Sequence, residues 1–301
     1  MEKKLIVILG PTGIGKTDLS IEIAQMLDTE IISGDSRQIY KELEIGTAPP
    51  DKKQLEAVKH HLIQNKSVFD YYSAGKYELE VLDIIEEIFK YKKTALLVGG
   101  SGMYIDAVCN GIDELPDADS ELRESLIERL ENEGIESIRF DLKRLDPESY
   151  EKIDLHNPKR ILKAVEVCLQ TGKTYSSLLS AAKKQRNFEI IKIGLQQNRE
   201  ELYENINKRV DKMIDSGLVA EAEKFFTHRQ INSLNTVGYK ELFPYFAGEY
   251  SLERAIELIK RNSRRYAKRQ ITWFNRHKDI NWFDVQNKKD ILNFISERVK
   301  I

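Results

Sequence analysis

Leu5-Ile6-Val7-Ile8-Leu9 is an unbroken run of mostly branched apolar residues closed by Gly10. A run of this kind, bounded by glycine, predicts a strand buried in a parallel sheet. From Asp18 to Leu27, the residues Leu19, Ile23, Ala24 and Leu27 fall at helical spacing. The start of the chain therefore reads strand, glycine-rich loop, helix. Glu30-Ile31-Ile32-Ser33 predicts a second strand that runs into Gly34-Asp35-Ser36. Thr94-Ala95-Leu96-Leu97-Val98 predicts a third, followed by Gly99-Gly100-Ser101-Gly102, and an apolar-periodic helix over 76–90 lies between the two. Ile190 to Leu195 predicts a fourth strand. Strands alternating with helices predict an α/β fold: a P-loop NTPase-like parallel sheet flanked by helices, with ligands at the carboxyl ends of the strands.

Between Pro116 and Gln185 the rhythm changes. Leu122, Leu126 and Leu130 recur every four residues, and Ile161, Ala164, Val165 and Cys168 form a second helical stripe. No strand is expected there. The reading is a helical insertion over 116–185 within a core made of 1–115 and 186–301, with the polar residues 183–188 as the return linker. Beyond the fourth strand the pattern is helical again, from Arg199 to about Phe226 and from Leu252 to Phe274.

Composition narrows the class. Apolar residues at 41% of 301 allow a substantial core, and a net charge of −2 excludes a uniformly basic nucleic-acid binder while leaving room for a basic stripe. Two cysteines, Cys109 and Cys168, provide neither a disulfide framework nor a four-cysteine zinc site. No stretch approaches the ~18–20 apolar residues of a membrane span, and the apolar run at the N-terminus is too short for a signal peptide. A soluble cytoplasmic protein, acting as a monomer, is expected.

Gly10-Pro11-Thr12-Gly13-Ile14-Gly15-Lys16-Thr17 fits the phosphate-loop pattern in the required setting between a strand and a helix. Its backbone N–H groups can turn toward phosphate oxygens, Lys16 adds a compact positive charge, and the Thr17 hydroxyl can hold Mg²⁺. Thr171-Gly172-Lys173-Thr174 repeats the Gly-Lys-Thr triplet, but position 167 is Val and a helix precedes it, so Gly172 reads as a helix C-cap. Asp35, at a strand end, suits a general base or a metal ligand; it equally suits the cap of a following helix. The third strand ends in glycines and Ser101 where ordinary P-loop ATPases have an aspartate. From Arg254 to Lys278 the chain has nine Lys or Arg against one acid, Glu257, with Tyr266, Trp273 and Phe274 interleaved. That is an electrostatic footprint for a polyanion, with rings that could stack on bases. The histidines, including the adjacent pair His60-His61, are read as loop or surface residues rather than metal ligands.

Several of these segments together resemble the tRNA dimethylallyltransferase (tRNA isopentenyltransferase) family. They are Gly10 to Thr17; Asp35-Ser36-Arg37-Gln38-Ile39-Tyr40 with Ile45-Gly46-Thr47; Gly99 to Tyr104; Asn157-Pro158-Lys159-Arg160; Val237-Gly238-Tyr239-Lys240; and Tyr266 to Phe274. They run in family order along nearly the whole chain. The resemblance implies transfer of a dimethylallyl group from dimethylallyl diphosphate to the exocyclic amine of the adenine 3′ of the tRNA anticodon, with Mg²⁺. It makes Asp35 the general base and places Ser101 near the reacting centre. Gly10, Pro11, Thr12, Gly13, Ile14, Gly15, Lys16 and Thr17 would hold the diphosphate and, through Thr17, its metal. Arg264 and Arg269 would stabilise the leaving pyrophosphate. Contacts to the tRNA anticodon stem-loop are implied for Asp35, Ser36, Arg37, Gln38, Ser101, Arg123, Lys159, Arg160, Ile161, Leu162, Lys163, Gly238, Tyr239, Lys268 and Gln270. Gly13-Ile14 stands where many members have Ala-Ser or Ala-Val, Ser101 where Thr is common, and Arg265 where Gln is frequent; no reactive group is lost. The competing readings are a P-loop kinase for a small metabolite, a prenyltransferase for free adenine nucleotides, and a non-enzymatic RNA-binding protein. The missing aspartate after the third strand and the basic aromatic helix speak against the kinase. The insertion and that helix favour tRNA over free nucleotides, and the intact phosphate loop has no purpose in a pure binder.

Overall fold

The structure, a computed structural model, describes residues 3–180 and 184–300. Lys183, the first residue of the expected return linker, lies outside them. Among the described residues six strands form one parallel sheet: β1 (Lys4–Leu9), β2 (Ile31–Gly34), β3 (His60–His61), β4 (Thr94–Gly99), β5 (Glu189–Gln196) and β6 (Ile280–Asp284), in spatial order β3-β2-β4-β1-β5-β6. The helices of the first half are α1 (Lys16–Met26), α2 (Lys52–Ala57), α3 (Ala74–Ile88) and α4 (Gly102–Asn110). Then come α5 (Ser120–Glu133), α6 (Ile135–Leu145), α7 (Pro147–Lys152), α8 (Pro158–Thr171) and α9 (Tyr175–Leu178). The last are α10 (Arg199–Asp215), α11 (Leu218–Glu223), α12 (Tyr239–Phe246), α13 (Leu252–Phe274) and α14 (Lys288–Val299).

Strand β1 is central and buried on both sides, as its apolar run requires. Ile6 and Ile8 face a cluster with Leu19 and Ile23 of α1, Leu202 and Ile206 of α10, Ala267 of α13, and Ile291 and Ile295 of α14. By strand alternation Leu5, Val7 and Leu9 take the other face, and all three are buried. Two short edge strands escaped the sequence reading. His60-His61 was expected in a loop, yet the pair adds to β2, with His61 bonded to Glu30 and His60 to the Val58 carbonyl. Strand β6, Ile-Asn-Trp-Phe-Asp, pairs with β5. The helix expected from Arg199 to Phe226 is broken at Ser216-Gly217, where Gly217 takes a φ of 100°.

The chain divides into two compact units, Met1–Asn110 with Arg186–Ile301, and Gly111–Gln185. The second has its own core of Leu126, Ile138, Leu142, Ile161, Ala164 and Val165 from α5, α6 and α8. Helices α5, α7 and α8 start on side-chain caps: Asp119 accepts from Leu122 N, Asp146 from Ser149 N, and Asn157 from Arg160 N, with Pro158 opening α8. No helix among the described residues is long and apolar enough to cross a membrane.

Candidate active site

Strand register assembles the site. Leu9 lies beside Gly99, and Gly99 beside Gly34, so the phosphate loop, the Ser101 loop and the Asp35 loop leave the sheet at one level of its carboxyl edge. Close approach explains the glycines: a Cβ on Gly99 would sit 2.1 Å from the Gly34 carbonyl oxygen.

In the phosphate loop Gly15 takes a left-handed φ of 88° and opens α1 without a side-chain cap, so the first N–H groups of that helix are available to an anion. Lys16 Nζ donates to the carbonyls of Gly10 (2.9 Å) and Pro11 (2.8 Å). Burial lowers its pKa to about 8; the carboxylate of Asp35 works against that fall, and the guanidinium of Arg209 adds to it. A phosphate anion would raise the pKa again and stabilise the charge on Lys16. The Thr17 hydroxyl makes no hydrogen bond among the described residues, whereas its carbonyl accepts from Ser20. That hydroxyl is free to serve as one oxygen ligand of a hard cation that takes few protein ligands. Among the described residues no group of three or more His, Cys, Asp or Glu side chains could hold a metal alone.

Asp35 ends β2 without starting a helix. Its Oδ1 accepts from the N–H groups of Arg37 (2.8 Å) and Gln38 (3.2 Å), which closes the turn after the strand. The expected helix cap is a turn cap instead: one carboxylate oxygen closes the turn, and the other accepts nothing from the described residues. Ser101 is buried; its Oγ accepts from Ser36 N at 2.9 Å and lies 3.1 Å from Ser36 Oγ. Tyr266 completes the group, its hydroxyl pushed up to about 12 by burial and by Asp35, while the bond to Ser101 pulls the other way.

Asp35, Ser36 and Tyr266 border a cavity of about 280 Å³, whereas Lys16, Thr17 and Ser101 do not line it. Its polar side includes Thr12, Asp35, Arg37, Arg209 and Arg269; its apolar side includes Ile206, Val210, Met213 and Ile259. Helix α10 contributes Ile206, Arg209, Val210 and Met213, which share one helical face. Arg209 was not anticipated from the sequence. Its signal was a cation inside an apolar stripe, masked by the exposed Lys208 and Lys212 around it.

Other expected residues stand elsewhere. Arg264 does not border the cavity; its guanidinium donates to Asn207 at 2.6 Å and lies over the Tyr203 ring. Gln270, expected on RNA, is buried, with Oε1 accepting from Thr12 N (2.9 Å) and Nε2 donating to Gly100 O (2.8 Å). It ties the phosphate loop to the loop after β4. Tyr239 is fully buried, so it cannot touch RNA either, whereas Gly238 borders the cavity. Ile161 is core in the Gly111–Gln185 unit, and Leu162 packs against that core. Within that unit Lys159 and Arg160 are exposed, Lys163 is half-buried and donates to the Pro116 carbonyl, and Arg123 pairs with buried Glu166 at 2.9 Å. Arg37 donates to the carbonyls of Asn232 and Ser233, and Gln38 to those of Thr47 and Ala48.

Helix α13 has two faces. Ala255, Ile259, Ala267, Gln270 and Phe274 are buried, so Phe274 is core rather than a stacking ring. Arg265, Lys268 and Arg269 on α13, and Arg276 just beyond its end, are exposed and, with Thr272 and Trp273, border a second depression. The Trp273 indole N–H donates to Asp106 at 2.8 Å, and Arg276 lies over its ring.

The family described as IPP transferase matches residues 38–277. The chain is 50% identical over 298 residues to tRNA dimethylallyltransferase 1 of Bacteroides fragilis, covering 99% of both chains. It is 49% identical over 300 residues to tRNA dimethylallyltransferase of Christiangramia forsetii, again covering 99% of both. Among solved structures it is similar to the tRNA isopentenylpyrophosphate transferase of Bacillus halodurans, with 35% identity, a TM-score of 0.72, and 99% and 97% of the two chains covered. It is also similar to a eukaryotic dimethylallyltransferase acting on tRNA, with 27% identity, a TM-score of 0.75, and 94% of this chain and 74% of that one covered. With that match spanning most of its length, the chain belongs to the IPP transferase family.

Proposed function

We propose that this protein transfers the dimethylallyl group of dimethylallyl diphosphate to the exocyclic N6 amine of the adenine 3′-adjacent to the anticodon of a tRNA, releasing pyrophosphate. The observation that carries the reading is the meeting, at one cavity, of a phosphate-loop residue, Thr12, with Asp35, Arg209 and Arg269. This is an anion site and a base at a pocket with apolar walls.

The adenine amine attacks the first carbon of the allyl group as the bond from that carbon to the diphosphate oxygen breaks. The electron pair leaves with pyrophosphate, and the amine proton passes to the free oxygen of Asp35. Charge therefore grows on the leaving group, where the loop N–H groups, Lys16, Arg209 and Arg269 stabilise it. Mg²⁺ held by Thr17 would neutralise part of the same charge. Ser101 and Tyr266 border the base. The apolar wall of Ile206, Val210, Met213 and Ile259 suits a five-carbon prenyl chain and excludes water that would hydrolyse it. The target base must leave the anticodon-loop stack, at a cost of a few kcal/mol. Backbone contacts from Lys268 and Arg265 on α13, from Arg276 just after it, and from Lys159, Arg160 and Arg123 on the insertion offset that cost. The enzyme works in the cytoplasm as a monomer.

The test is mass analysis of nucleosides from unmodified tRNA incubated with the protein, dimethylallyl diphosphate and Mg²⁺. One isoprene unit on adenosine is expected. Phosphorylation of a small acceptor from ATP, with no modified adenosine, would overturn the assignment.

A further inference from the structure

Next to the cavity lies a buried carboxylate that the chemistry above does not use. Glu221, on α11, is 7% exposed. It accepts from three consecutive backbone N–H groups: Oε2 from Glu44 (3.0 Å) and Ile45 (2.8 Å), Oε1 from Gly46 (3.0 Å). The hydroxyl of fully buried Tyr239 also donates to Oε1. The Tyr239 ring lies against Gly46, so closely that a Cβ there would meet ring carbon Cε2 at 2.5 Å. Carboxylate and ring together grip the segment 44–46. The next carbonyl, that of Thr47, accepts from Arg209 Nη2 (3.2 Å) and from Gln38 Nε2 (3.2 Å). Gln38 donates further to the Ala48 carbonyl at 3.0 Å, and its own N–H closes the turn on Asp35.

We propose that Glu221 is a positioning residue for the diphosphate end of the active site: by clamping 44–46 it fixes the Thr47 carbonyl that holds Arg209 over the cavity. The inference rests on the proposed function in one respect, that Arg209 faces the leaving pyrophosphate. The physical case is that Arg209 makes only this hydrogen bond among the described residues, while burial disfavours its charge and Asp35 supports it. A guanidinium so placed needs a fixed acceptor to keep one direction. Thr47 is such an acceptor only while its segment is held. Four donors converge on Glu221, and an amide in its place would turn an N–H₂ group toward donors.

The experiment is titration of the full chain with pyrophosphate and Mg²⁺ by calorimetry, together with steady-state transfer to an anticodon stem-loop RNA. Wild type is compared with Glu221→Gln, Arg209→Ala and the double variant. Glu221→Gln is expected to weaken pyrophosphate binding roughly tenfold, the reach of one charge-assisted hydrogen bond. In the Arg209→Ala background it should add less than about twofold, because the group it positions is gone. A purely structural Glu221 would leave pyrophosphate affinity unchanged well below the melting temperature, or would weaken it equally in both backgrounds; either result overturns the proposal. Should Glu221→Gln fail to fold, Tyr239→Phe removes one donor and keeps the ring on Gly46. It should weaken binding about threefold in wild type and not in Arg209→Ala, and equal effects in the two backgrounds again overturn it. Pyrophosphate binding that behaves as expected without any transfer to RNA would count against the assigned reaction and leave the clamp standing.

Discussion

The tripeptide Gly-Lys-Thr occurs twice, at 15–17 and 172–174, and the structure puts the two copies at opposite ends of helices. Gly15 has a φ of 88° and precedes α1; Gly172 has a φ of 67° and follows α8. Both glycines are left-handed, so glycine itself is not what distinguishes them. At the first copy the unpaired groups are N–H donors at the positive end of a helix dipole, and half-buried Lys16 donates to two carbonyls, with Asp35 supporting its charge. At the second the unpaired groups are carbonyls, the Gly172 N–H already bonds to the Cys168 carbonyl, and Lys173 is exposed. Thr174 accepts from Ser177 N as the cap of α9. An anion site is made by the strand, the turn and the helix start around the triplet, and the triplet alone does not make one.

The sharpest way to break this contrast is to remove each lysine. Lys16→Ala is expected to reduce transfer by about 10³-fold, as loss of a charge aimed at a growing anion does. Lys173→Ala should stay within about twofold, since an exposed side chain away from such features contributes little; paired kinetics on the two variants decide. Next in size is Asp35→Asn. The amide oxygen can still accept from Arg37 N and Gln38 N, so the turn survives while the base is lost. Transfer should fall by about 10²-fold with RNA affinity, read by filter binding, unchanged. Undiminished turnover would clear Asp35 of proton transfer.

Smaller effects sharpen how the first copy is supported. Gln270→Ala strips the brace from Thr12 N and Gly100 O and leaves two buried polar groups unpaired, at a cost of about 1–3 kcal/mol. A lowered melting temperature with pyrophosphate affinity down by roughly tenfold is expected. Full affinity in that variant would show that the loop holds its shape without α13. The smallest change belongs to the second copy: Thr174→Ala loses a helix cap worth about 1 kcal/mol, visible in denaturant unfolding and absent from transfer kinetics.

Legibility from sequence followed the same physics. Strands β1 and β4 are apolar runs that end at glycine and β5 is a mostly apolar run rich in branched residues, so all three were readable to within a residue or two, and with them the loops at their carboxyl ends. Strands β3 and β6 were not, because a two-residue edge strand and the half-polar Asn281-Trp282-Phe283-Asp284 carry no periodic signal. In the site, Lys16, Thr12 and Asp35 sit at recognisable strand ends. Arg209 does not: it is one cation among several on α10, and only the strands and α13 packed against that helix make its stripe the inward one. The residues expected on RNA divide by burial. Lys159, Arg160 and Lys268 are on the surface, whereas Gln270, Tyr239 and Ile161 are interior, because a basic or polar segment of helix still needs a buried face. Sequence alone shows that a helix carries charge but not which of its polar residues turn inward.

The central claim is that Gly10 to Thr17 cradles a leaving pyrophosphate while the nucleotide base arrives on RNA. Its most direct test is the stoichiometry of pyrophosphate release, followed by an enzyme-coupled assay with dimethylallyl diphosphate, Mg²⁺ and an anticodon stem-loop RNA, and in parallel with ATP replacing the prenyl donor. One pyrophosphate for each prenylated adenosine, none without RNA, and no phosphate from ATP is the expected result. Steady hydrolysis of ATP, or pyrophosphate release uncoupled from adenosine modification, would contradict it.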